Sequence, residues 1–376
     1  MNVPLLDLKA QYATIRDDVR AAVDEVLESQ GFINGPAVKA LEAALATYCG
    51  VAAATGVASG TDALLLALKA LKLQPGDEVI VPTFTFFATA GTVVNAGGTP
   101  VFVDSEAGSF NVDPVKIEGA ITARTKAILP VHIFGQMAQM DPIMALAKQH
   151  DLTVIEDAAQ AIGAAQTSRA DGVTRKACSI GFAGAISFFP SKNLGGAGDG
   201  GMLLSNDAEF ADKVRMWREH GMRPRYVHHF VGTNSRLDTI QAAILLVKLR
   251  HLDAWAAGRQ KVAARYTQAF AGTDIVTPVT DDNNTHVFHQ YVIRAPRRDD
   301  LQAHLTEKGI GNAVYYPISL HQQSCFLDMG YKEGSLPVSE RACREVLALP
   351  VYPELTEAQI DYVIHTISAF YGVPVA

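Results

Sequence analysis

The chain has 376 residues, 48% hydrophobic and 19% charged, the makeup of a folded protein with one large or two fused domains. Its 39 acidic and 32 basic residues leave a formal charge of −7, which gives no general pull towards nucleic acid or anionic membranes. The longest apolar runs, such as Ala63–Leu68, are too short to span a bilayer.

The first residues bring acidic groups early and lack the apolar core of a secretory leader, so a cytoplasmic protein is expected. Leu8–Ser29 has helical apolar spacing and reads as an N-terminal arm. Pro36, a favourable first-turn residue, opens a second helix that stops at Gly50. An alternation follows. Strands are expected at Glu78–Pro82, Pro100–Asp104, Lys126–Ile133, Leu152–Asp157, Ala185–Phe189 and Gly201–Ser205. Helical patterns fall at Thr61–Leu71, Thr85–Asn95, Pro114–Ala120 and Asp141–Gln149. Strand–helix–strand units at this spacing predict an α/β fold with a mostly parallel central sheet covered on both faces.

After Asn206 the texture changes. Asp207–Glu219 and Arg236–Ala271 read as long helices. Then come a strand at Val287–Arg294, a helix at Arg298–Lys308, a strand at Asn312–Tyr316, and helices near Pro337–Leu347 and Thr356–Tyr371. This predicts a large domain over 1–250, arm included, and a smaller α+β domain over 251–376. Cys49, Cys178, Cys325 and Cys343 are scattered, with no CxxC pair. They read as reduced packing residues, and no metal site is expected.

In an open parallel sheet, ligands sit beyond the carboxyl ends of the strands, and three segments here end strands in polar residues. In Val57–Leu71, an apolar run ends at Ser59-Gly60-Thr61 and opens an amphipathic helix. Its bare N–H groups and dipole suit an anion, although a plain helix cap would use the same residues. In Leu152–Ala164, Asp157 closes a buried strand and needs a partner, such as a protonated heterocycle, or else caps the helix that follows. Gln160 stands one turn further on. In "SFFPSKNLGGAGDGG", Ser187 and Lys192 flank a tight turn, and the lysine is either a solvated surface group or a catalytic amine. An anion cradle, a carboxylate for a ring nitrogen and a primary amine are the set that pyridoxal phosphate requires. Phe84, Phe86 and Phe87 offer an aromatic face for its ring, or helix core.

The segments "SGTDALLLAL", "VIEDAAQAIGA", "SFFPSKNLGG.GDGG" and "GTNSRLDTIQAAIL", in this order along nearly the whole chain, closely resemble the DegT-type nucleotide-sugar aminotransferases, which are pyridoxal phosphate enzymes of fold type I. The resemblance implies that Lys192 is the Schiff-base lysine, that Asp157 faces the pyridine nitrogen, and that Gln160 lies by the ring hydroxyl. It implies phosphate contacts from Gly60, Thr61 and Ser187, and ring stacking by Phe86. It further implies a homodimer in which Asn234 reaches the neighbouring subunit's phosphate. Tyr315, Tyr316, His321 and Arg236 are implied substrate contacts. The reaction implied moves an amino group from L-glutamate to a keto nucleotide sugar, with "GTNSRLD" and "REHG" most like the branch aminating a 3-keto sugar. Tyr315 and Phe230 replace a histidine and an arginine of enzymes acting on sugar acids, which points to a deoxysugar on dTDP or a neutral UDP-sugar. Two other classes compete: a cofactor-binding regulator without turnover, and a Rossmann-type dinucleotide protein, which the missing GxGxxG opposes.

Overall fold

The computed structural model describes residues 1–372. Helices α1 (Leu8–Ser29) and α2 (Pro36–Cys49) lead into β1 (Ala53–Val57), α3 (Gly60–Leu71), β2 (Glu78–Pro82), α4 (Ala88–Asn95), β3 (Thr99–Val103), α5 (Pro114–Ala120) and β4 (Thr125–Ile128). Next come α6 (Met140–His150), β5 (Thr153–Asp157), the short strands β6 (Ala165–Thr167) and β7 (Thr174–Lys176), β8 (Ala183–Ser187), β9 (Gly201–Ser205) and α7 (Ala208–Trp217). The chain ends with α8 (Thr239–Leu249), α9 (Leu252–Ala269), β10 (Asn284–Thr285), β11 (Tyr291–Arg294), α10 (Arg298–Glu307), α11 (Pro337–Glu345), β12 (Val346–Leu349) and α12 (Glu357–Tyr371).

Seven strands form the main sheet in the order β1-β9-β8-β5-β4-β2-β3. Every pairing is parallel except the two made by β9, so the expected mostly parallel sheet is what forms. Alternation along each strand feeds two cores. In β2, Ile80 packs with α2, α5 and α6 on one face, while Val79 and Val81 pack with α3 and α4 on the other. A separate core joins α9, α10 and α12 to β11 and β12, and it includes Val3 from the N-terminus.

Three differences from the sequence reading have simple causes. The long helix expected over Arg236–Ala271 breaks at Arg250–His251 into α8 and α9. The pattern continued because both helices bury apolar stripes, one on the main sheet and one in the C-terminal core. Asn312–Tyr316 forms no strand. It makes one bridge, from Ala313 to Ala348, and the partner of β11 is β12, whose residues lie at the end of the expected helix. The apolar run before Ser59 is a true edge strand, β1. Cys49, Cys178 and Cys343 are buried thiols as expected, whereas Cys325 is exposed.

Candidate active site

The parallel strands all end on one edge of the sheet, and a cavity of about 570 Å³ opens there. Its wall combines Gly60 and Thr61 after β1, Phe86 after β2, Asp157 and Gln160 after β5, Ser187 and Lys192 after β8, and Tyr315 and Tyr316 from the C-terminal region. The fold thus gathers residues up to 257 positions apart in sequence, Ser59 and Tyr316 being the extremes.

The anion cradle and the cap coexist. Ser59 Oγ accepts from Asp62 N (3.0 Å) and caps α3, which leaves Gly60 and Thr61 to face the cavity. A Cβ on Gly60 would lie 2.7 Å from Ser187 Cβ, so only glycine lets the α3 N-terminus approach the end of β8. Ser235 donates to Asp62 Oδ2 (2.6 Å) and docks the segment carrying Asn234 behind this helix end.

Asp157 is buried among few donors. Oδ2 accepts from Thr89 Oγ1 (2.8 Å) and Oδ1 from Ala159 N (3.2 Å). Burial raises its pKa, and the Thr89 hydroxyl, the Ala159 N–H and the Lys192 charge oppose that rise. Such a carboxylate gains most from a cation placed in the cavity. Lys192 is held in its turn by a hydrogen bond from its own N–H to Phe189 O (2.8 Å). Burial lowers its pKa to about 8, against the pull of Asp157 in the other direction. The amine is therefore partly neutral near physiological pH.

Gln160 is locked. Its Oε1 accepts from Phe134 N (2.7 Å) and its Nε2 donates to Tyr316 Oη (3.0 Å), which leaves the Tyr316 hydroxyl proton free to point into the cavity. Burial raises the Tyr316 pKa, so it remains a neutral donor. Phe86 is exposed at the cavity mouth, and Phe84, in the bend between β2 and α4, is buried against Phe110 and Phe134.

Three expected residues lie elsewhere. His321 is buried and both ring nitrogens are engaged, Nδ1 with Thr83 Oγ1 (2.7 Å) and Nε2 with Glu340 Oε1 (3.2 Å). It fixes the loop beside the cavity and is not among the residues of this chain that line it. Asn234 is exposed and Arg236 half-buried, both outside this chain's cavity. The sequence reading missed Thr89, Thr85, Asp199, His289 and Gln290, which touch Asp157 or line the cavity. Thr89 lies two residues after Phe87, in the stretch Pro82–Ala90 whose phenylalanines offered the aromatic face.

The lining residues fit pyridoxal phosphate: a partly neutral primary amine, a carboxylate short of partners and a bare helix N-terminus share one concave space. The model for the DegT/DnrJ/EryC1/StrS aminotransferase family matches residues 13–368. The chain belongs to that family.

Among relatives, a "Pleiotropic regulatory protein" of Geobacillus stearothermophilus is 52% identical over 99% of both chains. A UDP-N-acetyl-3-dehydro-alpha-D-glucosamine 3-aminotransferase of Acidithiobacillus ferrooxidans is 48% identical over 95% of both. The structure of S. venezuelae DesV in complex with a ketimine intermediate superposes with a TM-score of 0.94, at 42% identity and 98% coverage of both chains. The α/β fold with its mostly parallel sheet is that of these aminotransferases.

Proposed function

We propose that this chain is a pyridoxal phosphate-dependent aminotransferase that moves the amino group of L-glutamate onto a 3-keto nucleotide sugar. The observation carrying the proposal is the meeting of Lys192, Asp157 and the α3 N-terminus around one cavity. The α3 N–H groups, with Thr61 and Ser187, would hold the phosphate. Asp157, oriented by Thr89, would keep the ring nitrogen protonated, and Gln160 and Tyr316 would bind the ring hydroxyl. Phe86 would cover one ring face. When bound, the cofactor supplies a carbonyl that exchanges for an amine and a ring that accepts electrons. Lys192, with its lowered pKa, would serve as the base that holds and moves the proton of the substrate carbon bearing the amine. Phe84, Phe110 and Phe134 form a dry wall behind the site.

The neutral sugar is favoured because, among the described residues, Lys192 is the one Lys or Arg of this chain lining the cavity, so this chain's own wall offers no second such cation to a sugar carboxylate. The 3-aminotransferase relative, acting on a neutral UDP-linked sugar, supports the same choice; a dTDP-linked 3-aminosugar transaminase at 43% identity keeps a deoxysugar in view. A homodimer is part of the reading. Asn234 and Arg236 would reach the cavity of a second copy and bring the cation that glutamate needs. No described helix is long and apolar enough to cross a membrane, and we place the enzyme in the cytoplasm, making amino sugars for surface polysaccharide or secondary metabolites. Incubation of purified protein with pyridoxal phosphate, glutamate and a panel of 3-keto and 4-keto nucleotide sugars tests this. Mass spectrometry should find the 3-amino product. No product from any sugar would sink the proposal.

One relative's name favours a second reading, a regulator that binds the cofactor without turnover. The partly neutral Lys192 amine speaks against it, because binding alone does not require a poised base. Steady-state transamination separates the two.

A further inference from the structure

The segment His286–Gln290 has a backbone that nothing in its own sequence favours. Phe288 has φ +42°, a left-handed conformation that is strained for a bulky residue. Its surroundings impose it. Val287 N donates to Gly135 O (2.9 Å) and Phe288 N to His286 Nδ1 (3.0 Å), and the two rings of 286 and 288 stack 3.8 Å apart. Arg259 Nη1 donates to Phe288 O (3.2 Å) and to Val351 O (2.6 Å). Gly135 is required at its position, because a Cβ there would lie 2.9 Å from His289 N.

The strained turn delivers His289 to the wall of the cavity that holds Lys192. The imidazole is buried, and its tautomer follows from its neighbour. Asn193 Nδ2 donates to Val287 O (3.1 Å), so Asn193 Oδ1 is an acceptor and His289 Nδ1 must carry the proton that it shares with it at 3.1 Å. The lone pair is then on Nε2. That atom has no hydrogen-bond partner among the described residues, and His289 lines both the cavity that holds Lys192 and a smaller pocket beside it, where Ser191 and Tyr315 also lie. The charged groups acting on the ring are Lys192 and Arg259, and with burial they keep it neutral. Asn193, next in sequence to Lys192, therefore ties the lysine's turn to a ring whose free end is an acceptor.

We propose that His289 is a positioning residue for Lys192: its Nε2 accepts a hydrogen bond from the lysine amino group and aims that group whenever it is not bonded to the cofactor. This rests on the reading of Lys192 as the proton-moving base. Two variants separate the ends of the ring. His289→Asn keeps a donor for Asn193 and deletes the Nε2 acceptor. His289→Gln places an amide oxygen where Nε2 stands.

The first measurement uses cofactor-free full-length protein, with trace acylation of Lys192 followed against pH by peptide mass spectrometry. Wild type should titrate near 8. Loss of an acceptor for the ammonium form should lower that midpoint by about 0.5–1 unit in His289→Asn, and His289→Gln should recover it. In loaded protein, kcat should fall about 10-fold in His289→Asn with both KM values within about two-fold, as for a group acting through the base. An unchanged Lys192 midpoint in a folded His289→Asn variant overturns the proposal. So does an unchanged kcat with a raised KM for the sugar, which would make His289 a sugar contact. If wild type itself neither binds pyridoxal phosphate nor transaminates, the proposed function fails, while the acylation titration still decides the role of His289.

Discussion

Glu156 and Asp157 are adjacent carboxylates at the end of β5, and they lead opposite lives. Strand alternation sends them to opposite faces of the sheet. Glu156 accepts from the backbone N–H groups of Cys178 (2.8 Å), Ile180 (2.9 Å) and Gly181 (2.6 Å) and pairs with His132 Nε2 at 2.8 Å. Asp157 has one hydroxyl and one N–H, and beyond them a cavity. A buried charge with all its partners is a structural rivet; one left short of partners beside a cavity is a binding site in waiting. The sheet thus uses one side of a single strand to hold the fold and the other to hold a ligand.

Substitutions can break that contrast, beginning with the amine facing Asp157. Lys192→Ala should lower transamination about 10³-fold or more while cofactor still binds, measured by steady-state turnover and by fluorescence titration. The same variant removes a buried cation. Because the folded pKa of Lys192 lies below its ordinary value, its penalty on stability is present below about 8 and fades as pH rises from there towards 10.5. The cofactor-free variant should therefore melt a few degrees higher than wild type at pH 7, with the gap closing above pH 9.

The carboxylate pair itself comes next. Asp157→Asn should cost about 100-fold or more in kcat/KM with little change in melting temperature, since it removes a charge needed only by the ligand. Glu156→Gln should do the reverse. Losing the charge that accepts three backbone N–H bonds and one from His132 costs about 1.5–3 kcal/mol for each such bond lost, seen as a lower denaturation midpoint, with activity per folded molecule within about three-fold of wild type. Equal losses of activity from both changes would remove the distinction. A smaller effect is expected one hydrogen bond away: Thr89→Val should lower kcat about 10–30-fold, the low end of the roughly 1.5–3 kcal/mol of one hydrogen bond to a charged acceptor.

A last effect appears only on acidification and concerns His286, whose pKa burial lowers to about 3. Its folded value lies below the ordinary one, so the unfolded chain takes up the proton first and stability falls as pH drops from 6.5 towards 3. Denaturant titrations from pH 7 to 4 should show this, and His286→Gln should flatten the slope by about 1.4 kcal/mol per pH unit. An identical slope in the variant would mean that other groups carry the acid sensitivity.

The strand ends were legible because each closes an apolar run with a polar residue, so Asp157, Ser187 and Lys192 stood out against their neighbours. The strained turn at Phe288 was not, because its conformation comes from Gly135 and Arg259, 153 and 29 positions away. The partners of His321 were hidden for a related reason: Glu340 on α11 and Thr83 after β2 engage its two nitrogens from distant parts of the chain. Position along a strand was readable from local pattern; partnership across the fold was not.

The central claim is that Lys192 and Asp157 grip one flat heterocycle between them. Borohydride reduction of the protein loaded with pyridoxal phosphate, followed by peptide mapping, tests it most directly. The account predicts a stable cofactor adduct on the peptide bearing Lys192, with weaker loading in Asp157→Asn. An adduct on another lysine, or none at all, would contradict it.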